Sequence, residues 1–150
     1  MAEEFIETTV DKFTFRVKRG CWYSPVGVWV QPEGSVARLG LSDFLQQRSG
    51  DVAFVNVRPV GTVIAVGDEF ASLETMKVDL ALDSPVSGAI AEVNEALKES
   101  PELVNQDSYG EGWLALVELG NWEADRRALL DGEQYLDAMR AQALEEMGRE

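Results

Sequence analysis

The stretch LETMKVDLALDSPVSG, Leu73 to Gly88, decides how the 150-residue chain folds. After Lys77, the apolar Val78, Leu80 and Leu82 alternate with Asp79, Ala81 and Asp83. Before it, Ala71, Leu73 and Thr75 alternate with Phe70, Ser72 and Glu74. A period of two belongs to a strand with one face inward, so the chain must reverse around Thr75 to Val78. Lys77 is then set at the tip of a β-hairpin, exposed and held by a sheet on both sides.

Short apolar segments of the same kind flank this hairpin. FTFRV, VGVWV, DVAFVNV, GTVIAV, GAIAEV and WLALVEL are rich in Val and aromatics and are separated by Gly, Pro, Asn, Asp and Ser. They predict a mainly β fold, a small sandwich or barrel, over about residues 13–119. Pro59-Val-Gly-Thr-Val-Ile-Ala-Val-Gly-Asp and Pro85-Val-Ser-Gly-Ala-Ile-Ala-Glu-Val-Asn-Glu share a pattern of Pro-Val turn entry, Gly, apolar strand and polar turn. Two such copies flanking Lys77 suggest pseudo-twofold halves, with the intervening hairpin projecting from one end.

Helices are expected at three places. Leu41–Gly50 has Ser42 as N-cap and Gly50 as stop, and Asn94–Ser100 ends near Pro101. After Gly120, few residues are β-branched and Ala, Leu, Glu and Arg abound, which predicts a helical segment over 121–149. Asp131-Gly132 divides that segment in two, with Asp131 and Gln134 as a capping pair. Leu136, Met139, Ala143 and Met147 recur at helical spacing as a packing face. The length suits one domain, residues 1–150.

Composition excludes several functions. Thirteen basic against 27 acidic side chains give a net charge of -14, which repels nucleic acid and anionic membranes. There is no histidine, so His-based catalysis and His metal sites are out, and a single cysteine, Cys21, supports neither a disulfide nor a Cys-rich zinc site. The acidic start MAEEFIETTV carries no visible targeting signal, and the expected location is cytoplasmic. No spacing singles out a carboxylate pair, so the chain does not read as an enzyme.

Lys77 therefore carries the chemistry. A lysine amine is a poor nucleophile at neutral pH, but once acylated by another enzyme it becomes a long, uncharged, flexible tether. Glu74-Thr-Met-Lys77, followed by Ser84-Pro-Val-Ser-Gly88, resembles the attachment hairpin of lipoyl and biotinyl domains; a biotin carrier usually has Ala-Met-Lys-Met where this chain has Thr-Met-Lys-Val. Ser84 to Leu97, Ser100-Pro-Glu-Leu-Val-Asn105, Tyr109-Gly-Glu-Gly-Trp-Leu114, Gly34 to Asp43 and Gly50-Asp-Val-Ala-Phe-Val55 resemble the glycine cleavage H-protein family.

That resemblance implies a barrel-sandwich hybrid fold and a non-catalytic carrier. It implies lipoate joined to Lys77 by a lipoate ligase or lipoyltransferase that recognises Glu74. The family's arm carries an aminomethyl group from a pyridoxal-phosphate glycine decarboxylase to an aminomethyltransferase, and a dihydrolipoyl dehydrogenase reoxidises it. The chain departs from the family at one place. A polar Ser-His-Glu motif usually precedes the tryptophan aligned with Trp29, and an Asp lies four residues after the lysine; here stand Val26-Gly27-Val28 and Ala81. Without those polar groups, a cationic cargo loses its partners. The alternatives are therefore a lipoyl carrier outside glycine cleavage, in sulfur-compound oxidation or lipoyl relay, or an unmodified interaction module. Cys21 reads as a small apolar residue packed in a strand; if exposed, it would be able to exchange with a lipoyl disulfide.

Overall fold

The computed structural model describes residues 4–148. In chain order these form β1 (Phe5–Val10), β2 (Phe13–Lys18), β3 (Trp22–Tyr23), β4 (Val28–Glu33), β5 (Val36–Leu41), α1 (Asp43–Ser49) and β6 (Val52–Val57). Then come β7 (Val63–Ile64), β8 (Glu69–Thr75), β9 (Asp79–Asp83), β10 (Gly88–Val93), α2 (Leu103–Gln106), β11 (Ala115–Leu119), α3 (Trp122–Asp125) and α4 (Gly132–Gly148). Three antiparallel sheets result: the β1-β2 hairpin, a six-stranded sheet ordered β3-β4-β5-β11-β10-β7, and a three-stranded sheet ordered β6-β8-β9.

The two larger sheets close around one apolar core. Val30, Leu39 and Val117 from the first meet Phe70, Leu73 and Leu82 from the second, all at or near zero exposure. The two repeat copies lie side by side and antiparallel, with Val63 opposite Ala89 and Ile64 opposite Gly88, the arrangement a pseudo-twofold requires. Gly61 N–H donates to Ile90 O at 2.8 Å and Ile90 N–H to Thr62 O at 2.9 Å, extending the pairing beyond the short β7.

A second core lies outside the first. Val17, Tyr23, Trp29, Phe44, Tyr135 and Met139 gather where β2, α1 and α4 converge. The rings of Tyr23 and Tyr135 stack at 4.4 Å with planes 3° apart. Met139 and Ala143 are buried here, with Leu136 and Met147 packed at the margin, so the apolar face of α4 covers the second core. Burial of this kind, at about 25 cal/mol per Å² of apolar surface, contributes more to holding α4 than its intrinsic propensity does.

The helix signals act as their chemistry dictates. Ser42 Oγ accepts from Leu45 N–H at 3.2 Å, and Gly50 ends α1 with φ of 89°. Asp131 Oδ1 accepts from Gln134 N–H at 2.9 Å while Gln134 Oε1 accepts from Asp131 N–H at 3.0 Å, a reciprocal cap that starts α4. The segment after Asn94 is a 3-10 helix, Glu95–Lys98, and no longer, because Pro101 cannot continue it. The first C-terminal helix is a single turn followed by a 3-10 turn, Arg126–Ala128. Its Asp125 carboxylate reaches back to Ser87, accepting from N–H at 2.8 Å and from Oγ–H at 2.7 Å.

Two strands depart from the sequence reading. The β structure begins before residue 13, with β1, whose Ile6, Thr8 and Val10 face Val17, Phe15 and Phe13 across the hairpin. β5 contains Gly40, a residue that ordinarily weakens a strand. A Cβ there would sit 2.5 Å from the Trp29 ring, so glycine lets the indole lie flat against the backbone. Among the described residues, no helix is long and apolar enough to cross a membrane.

Candidate functional site

Lys77 stands exposed at the tip between β8 and β9. The reversal is closed by Thr75 N–H donating to Val78 O at 2.9 Å. Thr75 organises the rest. Its Oγ1 accepts from Val78 N–H at 2.9 Å and Lys77 N–H at 3.2 Å, and lies 2.7 Å from Ser49 O and 2.8 Å from Val78 O, so its one proton serves either carbonyl. Met76 N–H donates to Asp51 O at 3.0 Å. Two bonds thus tie the tip to the end of α1 and the start of β6, while the flanking strands hold it from behind. The sequence reading located the turn but not this brace; a threonine two residues before the lysine, able to cap its own turn, was the available signal.

Glu74 is exposed beside the tip. Across the three-stranded sheet its Cα partners are Phe54 on β6 and Asp79 on β9. Directly opposed like charges disfavour pairing, and Phe54 is left 67% exposed. A carboxylate pair next to an uncovered aromatic ring therefore flanks Lys77 at some cost in stability.

A groove of about 310 Å³ opens on the other side of Lys77. The hairpin supplies Phe13 and Phe15, α1 supplies Phe44, and α4 supplies Ala143 and Met147. At its rim the Arg48 guanidinium pairs with Glu146 at 2.7 Å, joining α1 to α4. The aliphatic stem of Lys77 passes over Gly50, where an added Cβ would lie 3.0 Å from the lysine Cδ. Only a residue without a side chain leaves that path open.

The divergent Val26-Gly27-Val28 segment has a local structural reason. Val28 is fully buried in the first core. Gly27 has φ of 104°, and a Cβ there would lie 2.7 Å from the Tyr135 hydroxyl and 2.8 Å from Ser42 Oγ. These two hydroxyls bond each other at 2.8 Å, so the side chain missing at position 27 makes room for one arriving from α4. Ala81 sits exposed on β9.

Cys21 is the small apolar packing residue the sequence suggested, and the condition for exchange, exposure, is not met. Its thiol is 2% exposed, and burial pushes it up to about 11, beyond the opposing pull of Lys18. Disulfide exchange needs an accessible thiolate, so Cys21 is a packing residue of the second core. Burial likewise raises Tyr23 and Tyr109, and Tyr135 to about 12.

The family model for the glycine cleavage H-protein matches residues 21–142. The chain belongs to the glycine cleavage H-protein family. Among curated members, it is 44% identical over 121 residues to the glycine cleavage system H protein of Coprothermobacter proteolyticus, covering 80% of this chain and 94% of that protein. It is 42% identical over 113 residues to that of Carboxydothermus hydrogenoformans, covering 75% and 86%. The crystal structure of a glycine cleavage system H protein from Mycobacterium marinum superposes with a TM-score of 0.70 at 27% identity, over 81% of this chain and 97% of the other. The fold is the barrel-sandwich type of that family. Its β1-β2 hairpin and the last residues of α4 lie outside the family match.

Proposed function

We propose that the chain is the carrier component of a glycine cleavage system, with lipoate in amide linkage to Lys77. The observation that carries this reading is the braced turn: an exposed primary amine on a tip fixed from both sides by strands and from below by Thr75 and Met76. Rigid presentation lets one small site be read by several enzymes in turn. Attachment falls to a separate lipoate ligase or lipoyltransferase. Glu74 and Asp79 offer that enzyme a paired negative charge, with Phe54 as an apolar contact, which suits a basic face around its acyl site.

When bound, lipoate supplies a redox-active disulfide at the end of a flexible chain. The protein's own residues hold the backbone of the turn at a fixed point and keep the arm's base in solvent. The partners on this reading are a pyridoxal-phosphate glycine decarboxylase, an aminomethyltransferase and a dihydrolipoyl dehydrogenase. The protein acts in the cytoplasm and is not itself a catalyst. Intact mass of protein made in its native host, with peptide mapping, tests the attachment: a lipoyl adduct on Lys77 is expected. A bare lysine would leave an unmodified interaction module, and a biotinyl adduct would make it a biotin carrier.

One observation favours a second reading, a lipoyl carrier outside glycine cleavage that serves sulfur-compound oxidation or lipoyl relay. Val28 is buried and Gly27 has no space for a side chain, so neither position offers a polar group to a cationic cargo. Reconstituted exchange of bicarbonate into glycine with a glycine decarboxylase separates the two: exchange at the level of an ordinary H protein supports the first, and its absence with a fully lipoylated chain supports the second.

A further inference from the structure

Resting on the carrier reading above, we propose that Asn105, on α2, is a positioning residue for Lys77: it clamps the segment on which the hairpin tip is braced, and so sets how well an acylating enzyme reads the lysine. The two bonds beneath the tip end on Ser49 O and Asp51 O, so the tip is only as fixed as the stretch from Ser49 to Val52. Regular structure does not fix that stretch. α1 ends at Ser49, Gly50 has φ of 89°, and the β6-β8 register slips between Val52 and Phe54.

Asn105 supplies what the ladder does not. Its Oδ1 accepts from Val52 N–H at 2.9 Å and its Nδ2 donates to Gly50 O at 3.0 Å, so one amide spans both sides of Asp51. The second Nδ2 hydrogen goes to Gln46 Oε1 at 3.0 Å. Gln46 is itself held, because its Nε2 donates to the Asp43 carboxylate at 2.9 Å, and that carboxylate also accepts from Arg16 N–H. Turning the Gln46 amide over would set an oxygen against a carboxylate. The orientation of the Asn105 amide is thereby fixed, with both of its donors in use. Its backbone is anchored in turn: Val104, next to it, is fully buried in the first core, and Leu103 packs against that core. A polar chain thus runs from the core through Asn105 to Gly50 and Val52, and from Asp51 to Met76 and the lysine.

The test joins two measurements: lipoylation by a lipoate ligase, with kcat and KM for the protein determined separately, and amide exchange at Met76, whose N–H rests on Asp51 O. Asn105→Ala, shown by circular dichroism to be folded, exchanges about fivefold faster at Met76 and raises KM about fivefold. Its kcat stays, since the protein bound to the enzyme is in the braced form. Asn94→Ala is the matched control. Asn94 is also a three-bond amide, donating to Glu111 O and Trp113 O and accepting from Ala96 N–H, but it holds a different loop. Its loss lowers Tm and leaves Met76 exchange and KM unchanged. Asn105→Asp gives a signature that packing alone does not. At neutral pH its carboxylate faces the Gly50 and Gln46 oxygens with no proton to share, and the variant matches Asn105→Ala. As the pH falls through about 4 the side chain regains one donor, and protection at Met76, measured against the unaltered protein at each pH, returns.

Unchanged Met76 exchange or an unchanged KM in Asn105→Ala overturns the proposal. So does an equal effect of Asn94→Ala, or an Asn105→Asp defect that persists in acid. Failure of the ligase to acylate the unaltered protein would count against the carrier reading instead. Exchange at Met76 in the same three variants then decides by itself whether Asn105 holds the tip.

Discussion

Replacing Thr75 by valine tests whether the brace under the tip matters for modification. Valine keeps the branched shape and removes the hydroxyl. Lys77 and Val78 N–H are exposed and turn to water at little cost, so the loss concentrates on the partly buried bond to Ser49 O. One such bond is worth about 1 kcal/mol net, and up to about 3 kcal/mol if the carbonyl is left without a partner. For a chain of this length that is a fall in Tm of roughly 2–12 °C. If the ligase engages only the braced turn, a penalty of about 1.4 kcal/mol reduces the competent population about tenfold, and kcat/KM for lipoylation falls with it. Thr75→Ser, which keeps the hydroxyl, recovers most of the rate. Lipoylation followed by intact mass, with amide exchange at Met76 to Val78 as the structural readout, measures both halves. Faster exchange at the tip together with an unchanged lipoylation rate would refute the link between bracing and recognition.

Lys77→Arg keeps the charge and abolishes the lipoyl adduct, with stability within about 0.5 kcal/mol of the parent, as mass and melting will show. Glu74→Gln slows lipoylation through kcat/KM without lowering Tm, since removing one of two opposed carboxylates relieves repulsion. Gly27→Ala places a methyl against Tyr135 and Ser42 at a positive φ and costs about 2–4 kcal/mol in denaturant unfolding. Asp131→Ala removes half of the reciprocal cap on α4 and costs about 1 kcal/mol. Cys21 ionises near 9 when unfolded and near 11 when folded, so between these values the unfolded state holds fewer protons and stability falls as pH rises. Tyr135, moved from 10 to about 12, acts in the same direction. Denaturant midpoints should therefore decline from pH 9 upward, and a flat profile to pH 11 would contradict the burial of these groups.

Local chemistry made much of this molecule legible. Alternation around Lys77 located the tip, Ser42 and Gly50 bounded α1, and Asp131 with Gln134 started α4, because each signal acts within a few residues of itself. The strand Phe5–Val10 went unread because its outward Glu7 and Thr9 made the segment look like an acidic tail, although Ile6, Thr8 and Val10 keep strand alternation. β5 was hidden by Gly40, whose need is set by a tryptophan on the neighbouring strand. The pairing of Gly27 with Tyr135 and the groove itself both depend on residues more than one hundred positions apart in sequence. No window of sequence holds both halves of such a contact, and the missing polar motif at positions 26–28 could be seen but not explained until α4 was in place.

The bonds from Thr75 and Met76 to the α1 end give the molecule a fixed pivot. Whatever is joined to Lys77 sweeps a dome whose centre does not wander, so its reach is set by the attached chain alone. Enzymes that share such a shuttle must bring their openings inside that dome.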